Sequence, residues 1–252
     1  MTQTDQDERA EEARSTEQAE RGRSDLGPVG NAVSDRVEDL LRGYLADRSE
    51  AVAALARLRG GAGKTFGECP QLWGLTVDAH AYAAPGWSRD RQDRAEEAVH
   101  AALTLFALHQ QSLRGASGGD ENRMHRRVRY LDGDRGRLPH YGLGWAVRAC
   151  MGSGEIDAAL HNRLKKAAQA SSLRTRVGEL RQIVAHLRRN RVALDYGLLA
   201  DQLFHAQDPG GITRVRNEWG HGFVSYRPAK NDDGTDSTTP DDATTASEKE
   251  NP

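Results

Sequence analysis

The run Gly60-Gly61-Ala62-Gly63-Lys64-Thr65 holds the residue types that bind phosphate. Glycines bring backbone N–H groups close, lysine adds charge, and a threonine hydroxyl can hold magnesium. A nucleotide-binding loop needs a glycine, four intervening residues, then Gly-Lys-Ser/Thr. Gly63-Lys64-Thr65 supplies the end, but the first glycine is replaced by Leu58. Such a loop also follows a buried strand and opens a helix. Here Ala51 to Arg59 has Val52, Leu55 and Leu58 at helical spacing and stops at glycines, a common helix end. The stretch therefore reads first as a helix end that presents Arg57, Arg59 and Lys64 to a polynucleotide. A nucleotide-dependent switch at Lys64 remains the alternative.

Other chemistry is thinly represented. There is no His-Glu-x-x-His and no Cys-x-x-Cys, and Gly152-Ser153-Gly154 lacks the spacing of a nucleophile elbow. His100 and His109 are nine residues apart, too far to share a metal from one helical face. Cys69 and Cys150 form no metal or redox motif, so a reduced, cytoplasmic setting is the default. Asp132 and Asp134 could approach a magnesium ion, but no third ligand or base accompanies them, and acids in such loops are usually turn residues. No catalytic set, cofactor or metal is expected.

Charge carries more information. The net charge of −2 conceals acidic ends around a basic body. Residues 1–25 hold eight acids and four bases, and residues 231–252 seven acids and one base. Residues 26–230 carry +8, and residues 114–191 alone carry +10, mostly as arginine. The guanidinium fork suits phosphate, and a basic body between acidic tails points to a nucleic-acid partner. No run of about 18 apolar residues or apolar leader is visible, so neither a membrane span nor secretion is expected.

The elements that must position these charges are helical. Residues 1–33 are charged and poor in apolar groups, and are expected to be disordered, as is the acidic tail 229–252. Ser34 and Ser49 are candidate helix caps, and Pro70 suits a first turn bearing Leu72, Trp73, Leu75 and Val77. Ser88 opens the longest helical pattern, which runs to about Leu113. Residues 114–141 have no sustained period and are rich in Gly, Arg and Asp, with Tyr130 and Tyr141 interleaved. Loops of this length are usually functional or disordered.

Helices follow over Leu143 to Met151 and Glu155 to Ala170, then from caps at Ser172, Asp195 and Asp208. No strand pattern is strong. The fold expected is all-α, a bundle of about eight or nine helices. It divides into an N-terminal helical part over 34–141 and a C-terminal bundle over 142–228.

The order of these elements resembles the small subunit of the type I-E CRISPR surveillance complex Cascade, the CasB-like family. The resemblance spans roughly Leu40 to Tyr226. It begins with Leu55-Ala56-Arg57-Leu58-Arg59, the glycine/lysine loop and Pro70-Gln71-Leu72-Trp73. Ala102 to Gln111, Met124-His125-Arg126 and Gly142-Leu143-Gly144 follow, then the Arg163 helix and Ala170-Ser171-Ser172-Leu173. Leu180-Arg181, Leu187-Arg188, Leu194-Asp195-Tyr196 and Trp219 to Phe223 close it. The position after Gly144, commonly arginine in the family, is Trp145, and residues 127–141 read as an insertion.

The resemblance implies a non-enzymatic helical subunit, stacked with a second copy of itself beside the backbone and large subunits. It implies contact with guide RNA and target DNA that stabilises the R-loop and the displaced strand without reading sequence. It carries over Arg57, Arg59, Arg126, Arg163 and Arg181 as phosphate contacts. Charge and expected exposure alone add Lys64, Arg127, Lys166, Arg188 and Arg189. Each could instead be a solvated charge or a protein–protein ion pair. A stand-alone nucleic-acid-binding helical protein is the other reading.

Overall fold

The structure, a computed structural model, describes residues 26–113, 120–127, 129–130, 139–152 and 154–226. The stretches 1–25 and 227–252 of the expected tails, together with Asp132 and Asp134, lie outside the described residues.

Among the described residues there are eight α-helices. They are α1 (Pro28–Leu45), α2 (Ser49–Arg59), α3 (Arg89–Gln110), α4 (Leu143–Ala149), α5 (Ala158–Gln169), α6 (Leu173–Arg189), α7 (Tyr196–His205) and α8 (Pro209–Val224). The all-α expectation holds. The one sheet element among the described residues is the antiparallel pair β1 (Arg129–Tyr130) and β2 (Pro139–His140). Two-residue strands are too short to leave a period-two pattern in the sequence.

Helix starts follow local chemistry. The hydroxyls of Ser88 and Ser172 accept from Arg91 N and Thr175 N, and the Asp195 carboxylate accepts from Leu198 N. Each satisfies an amide that the first turn leaves without a partner. Pro70 opens only a single 3-10 turn, Pro70–Leu72. The pattern beginning at Ser88 ends at Gln110 rather than Leu113.

The largest departure is at the N-terminus. Helix α1 starts at Pro28, so Ser34 is not its cap but a buried interior residue, and residues 28–33 are ordered helix. Local composition hid this because the support is distant. The Asp201 carboxylate on α7 accepts from Gly30 N at 2.7 Å and from Gly27 N at 2.6 Å. It serves as the cap that the sequence near Gly27 lacks. Gly30 and Gly197 let α1 and α7 close together, since a Cβ on Gly30 would lie 2.7 Å from the Gly197 carbonyl oxygen.

Helix α3 runs through the middle, packed against α1, α2, α6 and α7. Its Ala102, Leu103 and Phe106 join Val37, Leu41 and Leu58 on one side and Leu180, Ile183, Leu199 and Leu203 on the other in one buried cluster. That cluster continues across position 141 into Leu143, Val147, Val215 and Trp219.

Three histidines are sealed into this core. His109 Nδ1 is 2.9 Å from the Tyr196 hydroxyl, and His125 Nδ1 accepts from Tyr196 N at 3.2 Å. Burial holds His100, His109 and His125 below the ordinary histidine range, His109 down to about 3. Folded, His109 stays neutral well below pH 5, and His100 and His125 resist protonation in the same sense, while in the unfolded chain all three take up protons below about pH 6.5. Their contribution is present above that pH and is lost as pH falls. His109 alone removes about 2 kcal/mol between pH 6.5 and pH 5.

Asp201 works in the opposite sense. Burial raises its carboxyl to about 6 from 3.8, so it gains relative stability as pH falls through that interval. Burial also raises Glu97 and lowers His205, so four histidines oppose two carboxylates, and the urea midpoint should drop from pH 7 to pH 5. A midpoint that stays level or rises would refute this balance.

Candidate nucleic-acid interface

The glycine loop is built against α3. Gly60 N, Gly61 N and Lys64 N donate to the carbonyls of Arg57, Leu58 and Gly61 at 2.9–3.0 Å, and Ala62 N to Arg59 O at 3.3 Å. Thr65 N donates to a Glu68 carboxylate oxygen at 2.8 Å, and Phe66 N to the Glu97 carboxylate at 3.1 Å. These six amides, most of those that would cradle a phosphate, are thus spent on the protein itself. Glycine at position 61 serves packing, because a Cβ there would lie 2.6 Å from Leu72 Cδ1 and 3.0 Å from Thr104 Cγ2. The Thr65 hydroxyl donates to Glu68 at 3.1 Å. This geometry disfavours a nucleotide switch at Lys64.

The loop instead docks on α6. Arg174, Arg181 and Arg188 recur every seven residues there. That places them on one face about 10 Å apart, roughly 21 Å from first to last. Arg174 donates to the Glu68 carboxylate at 2.8 Å. The Thr65 backbone bond, Arg174 and the Thr65 hydroxyl hold that carboxyl down at about 2. The Arg181 side chain lies along Gly63, where an added Cβ would be 3.7 Å from Arg181 Cδ. Arg188 Nε donates to Gln111 O at 3.1 Å and Nη1 to Gln111 Oε1 at 3.3 Å. Gln111 also lines a cleft of about 190 Å³ together with Arg59, Tyr44 and Leu55.

A basic lane of Arg59, Lys64, Arg181 and Arg188 thus runs from the end of α2 over the glycine loop to α6, with Arg57 and Arg189 on the same elements. Arg57, Lys64, Arg181 and Arg189 are exposed and Arg59 is half-buried. Among the described residues none of these five is paired with a carboxylate.

The remaining expected contacts lie elsewhere. Arg163 on α5 pairs with Glu179 at 3.3 Å, and Lys166, one turn later, is exposed. Arg127 pairs with Asp35 at 3.2 Å, beside a shallow depression between α1 and residues 74–81 that is also lined by Glu38 and Asp39. Arg126 sits over the Tyr141 ring, 5.8 Å from its centroid. These four belong to α5 and to the Met-His-Arg element with its next residue, rather than to α2, the glycine loop or α6.

Two features escaped sequence reasoning. Arg176 is buried and donates to the carbonyls of Ala167 and Ala170 at 3.2 and 2.6 Å. It closes the end of α5 rather than meeting phosphate. Trp73, grouped with core residues by its apolar neighbours, is 55% exposed. Among the described residues no cluster of three His, Cys, Asp or Glu could hold a metal, and no helix is long and apolar enough to cross a membrane. Both cysteines are free.

A family model described as CRISPR-associated protein Cse2 matches residues 54–223. The chain belongs to the CRISPR-associated Cse2 family. A crystal structure of CasB from Thermobifida fusca is 44% identical, with a TM-score of 0.65, over 79% of this chain and 98% of that one. The curated proteins contain no match. Family membership bears out the resemblance to the type I-E Cascade small subunit.

It also lets the motif order be read physically. In this Cse2 chain Met124 and His125 are buried structural residues. Met124 N donates to Gln110 Oε1 at 3.0 Å, Leu194 N donates to Met124 O at 3.1 Å, and His125 pairs with Leu194 in a β-bridge. The Leu194-Asp195-Tyr196 element is thus the partner of the Met-His-Arg element. Helix α1 lies wholly before the matched residues and is tied to them by Asp201, by the ion pairs of Glu38 with Arg123 and Asp35 with Arg127, and by Val33, Val37 and Leu41 in the shared core.

Proposed function

We propose that this Cse2-family chain is a non-catalytic subunit of a CRISPR RNA-guided DNA surveillance complex acting in antiviral defence. It holds nucleic acid by its phosphates and stabilises the guide RNA–target DNA R-loop and the displaced strand. Its partners are guide RNA, target DNA, the backbone and large subunits of Cascade and a second copy of itself, in the cytoplasm. The observation that supports this reading is that the end of α2, the glycine loop and α6 meet, and that Arg57, Arg59, Lys64, Arg181 and Arg189 on them have no carboxylate paired to them among the described residues.

Phosphate contacts set position and carry no base information. Sequence is supplied by guide pairing, and R-loop formation is a near-balanced exchange that backbone contacts can tip. Arg126, Arg127, Arg163 and Lys166 form secondary contacts outside the lane, and Arg188 contributes at its far end.

The test is the salt dependence of binding by the full chain to a single-stranded oligonucleotide. Four or five phosphate contacts give a slope of log affinity against log salt of about −3. A slope near zero sinks the reading. Copurification of a tagged chain with guide RNA and sister subunits separates it from a stand-alone nucleic-acid-binding protein, which would bring down neither.

A further inference from the structure

Trp73 is the largest of the exposed apolar side chains, and it is held rather than loose. Its indole N–H donates to the Phe66 carbonyl at 3.3 Å. Its ring stacks on Phe66 with centroids 5.8 Å apart and planes 27° apart. Phe66 is fixed in turn. Its N–H is bound to Glu97, and its ring meets the buried His100 edge-on at 6.0 Å. The Thr76 hydroxyl donates to the Trp73 carbonyl at 3.1 Å. Leu72, the adjacent residue, takes the core position. An indole held by the carbonyl and the ring of Phe66, yet half in water, is a preorganised aromatic surface.

Lys64 and Arg174 lie close to Phe66, alongside the carboxylates of Glu68 and Glu97. Phe66 lies two residues after Lys64 and two before Glu68, which anchors Arg174. Of the residues next to Trp73 in the chain, Leu72 is buried, while Gln71 and Gly74 are exposed and not apolar. Grooves that bind single strands combine cations along the backbone with aromatic faces on which bases stack. Duplex bases have no free face to offer.

We infer that Trp73, backed by Phe66, is a stacking platform for an unpaired nucleobase, so the basic lane takes single-stranded nucleic acid at this end. The inference rests on the proposed phosphate-binding role of the lane.

The test uses the full chain with two oligomers of equal length and charge, one of deoxythymidine and one of abasic linkers. Wild type should bind the thymidine oligomer about 5- to 100-fold more tightly. Trp73→Ala should erase that difference and leave the salt slope unchanged, while Trp73→Phe keeps part of it. Arg181→Glu should weaken both oligomers alike. If Trp73→Ala binds the thymidine oligomer as wild type does, the platform is refuted, and the lane stands provided Arg181→Glu still weakens both. Unchanged strand binding with reduced copurification of sister subunits would likewise overturn the platform and assign Trp73 to a protein contact. No binding of either oligomer by wild type overturns both readings.

Discussion

Reversing Arg57 and Arg59 to glutamate lowers strand affinity by about 100-fold at low salt and flattens the salt slope by about two phosphate contacts. R-loop formation by the assembled complex falls with it, while guide-RNA processing is unchanged. The magnitude follows from what each side chain is doing. Arg57 is exposed and Arg59 half-buried, and no carboxylate among the described residues is paired with either. Each reversal therefore removes one attraction and adds one repulsion toward the same phosphate.

At high salt the deficit should shrink, since exposed charges are screened within about 10 Å at 0.1 M. Arg163→Glu should do less, because Arg163 already pairs with Glu179. The helix itself must be controlled for. Both arginines lie in the last turn of α2, where cations favour the dipole and anions cost about 0.3–1 kcal/mol each. The pair Arg57→Gln and Arg59→Gln separates this term. It should retain stability yet lose about half of the binding effect on a logarithmic scale, having lost attraction without gaining repulsion. R-loop formation that survives the double reversal would remove the lane from the mechanism.

What the sequence made legible was whatever is encoded locally. The stripe Val177, Leu180, Ile183, Val184 and Leu187 predicts the inward face of α6, and all five are buried. Ser88, Ser172 and Asp195 predict helix starts and bond the amides expected of caps. Asp208 marks a start too, but its carboxylate binds Arg94 across 114 residues instead of capping. The misses share that long-range character. The pairs Asp201 to Gly30, Arg174 to Glu68 and His125 to Tyr196 link positions 171, 106 and 71 residues apart, and no periodicity reports them.

Within the candidate site, charge counting found the arginines but could not sort them. Arg176, Arg181 and Arg163 look alike in sequence. One closes a helix end, one borders the glycine loop, and one is paired with Glu179. Only the fold separates the cation bound to a carbonyl, the cation without an acidic partner, and the neutralised one.

Glycine shows the same dependence on context as a measurable contrast in sign. Gly144→Ala should destabilise the chain by at least about 3 kcal/mol, whereas Gly178→Ala should stabilise it by up to about 1 kcal/mol. Gly144 lies in α4 directly on α8. A Cβ there would overlap the Trp219 carbonyl and lie 2.7 Å from Phe223 N. Both obstacles are helix backbone, which cannot swing aside as a side chain can. Helix α4 has only seven residues, so it depends on this contact, through which Leu143 and Val147 reach the core beside Trp219 and Phe223. Gly222 faces it from α8 with somewhat more room, an added Cβ lying 3.1 Å from Trp145 N. Gly178 is exposed within α6 with nothing inside 4 Å of an added Cβ, so alanine there only removes freedom from the unfolded chain. Thermal unfolding of the two variants is the measurement. The first should melt roughly 6–12 °C lower and the second up to about 4 °C higher. Two variants that melt together would mean that α4 and α8 do not meet at Gly144.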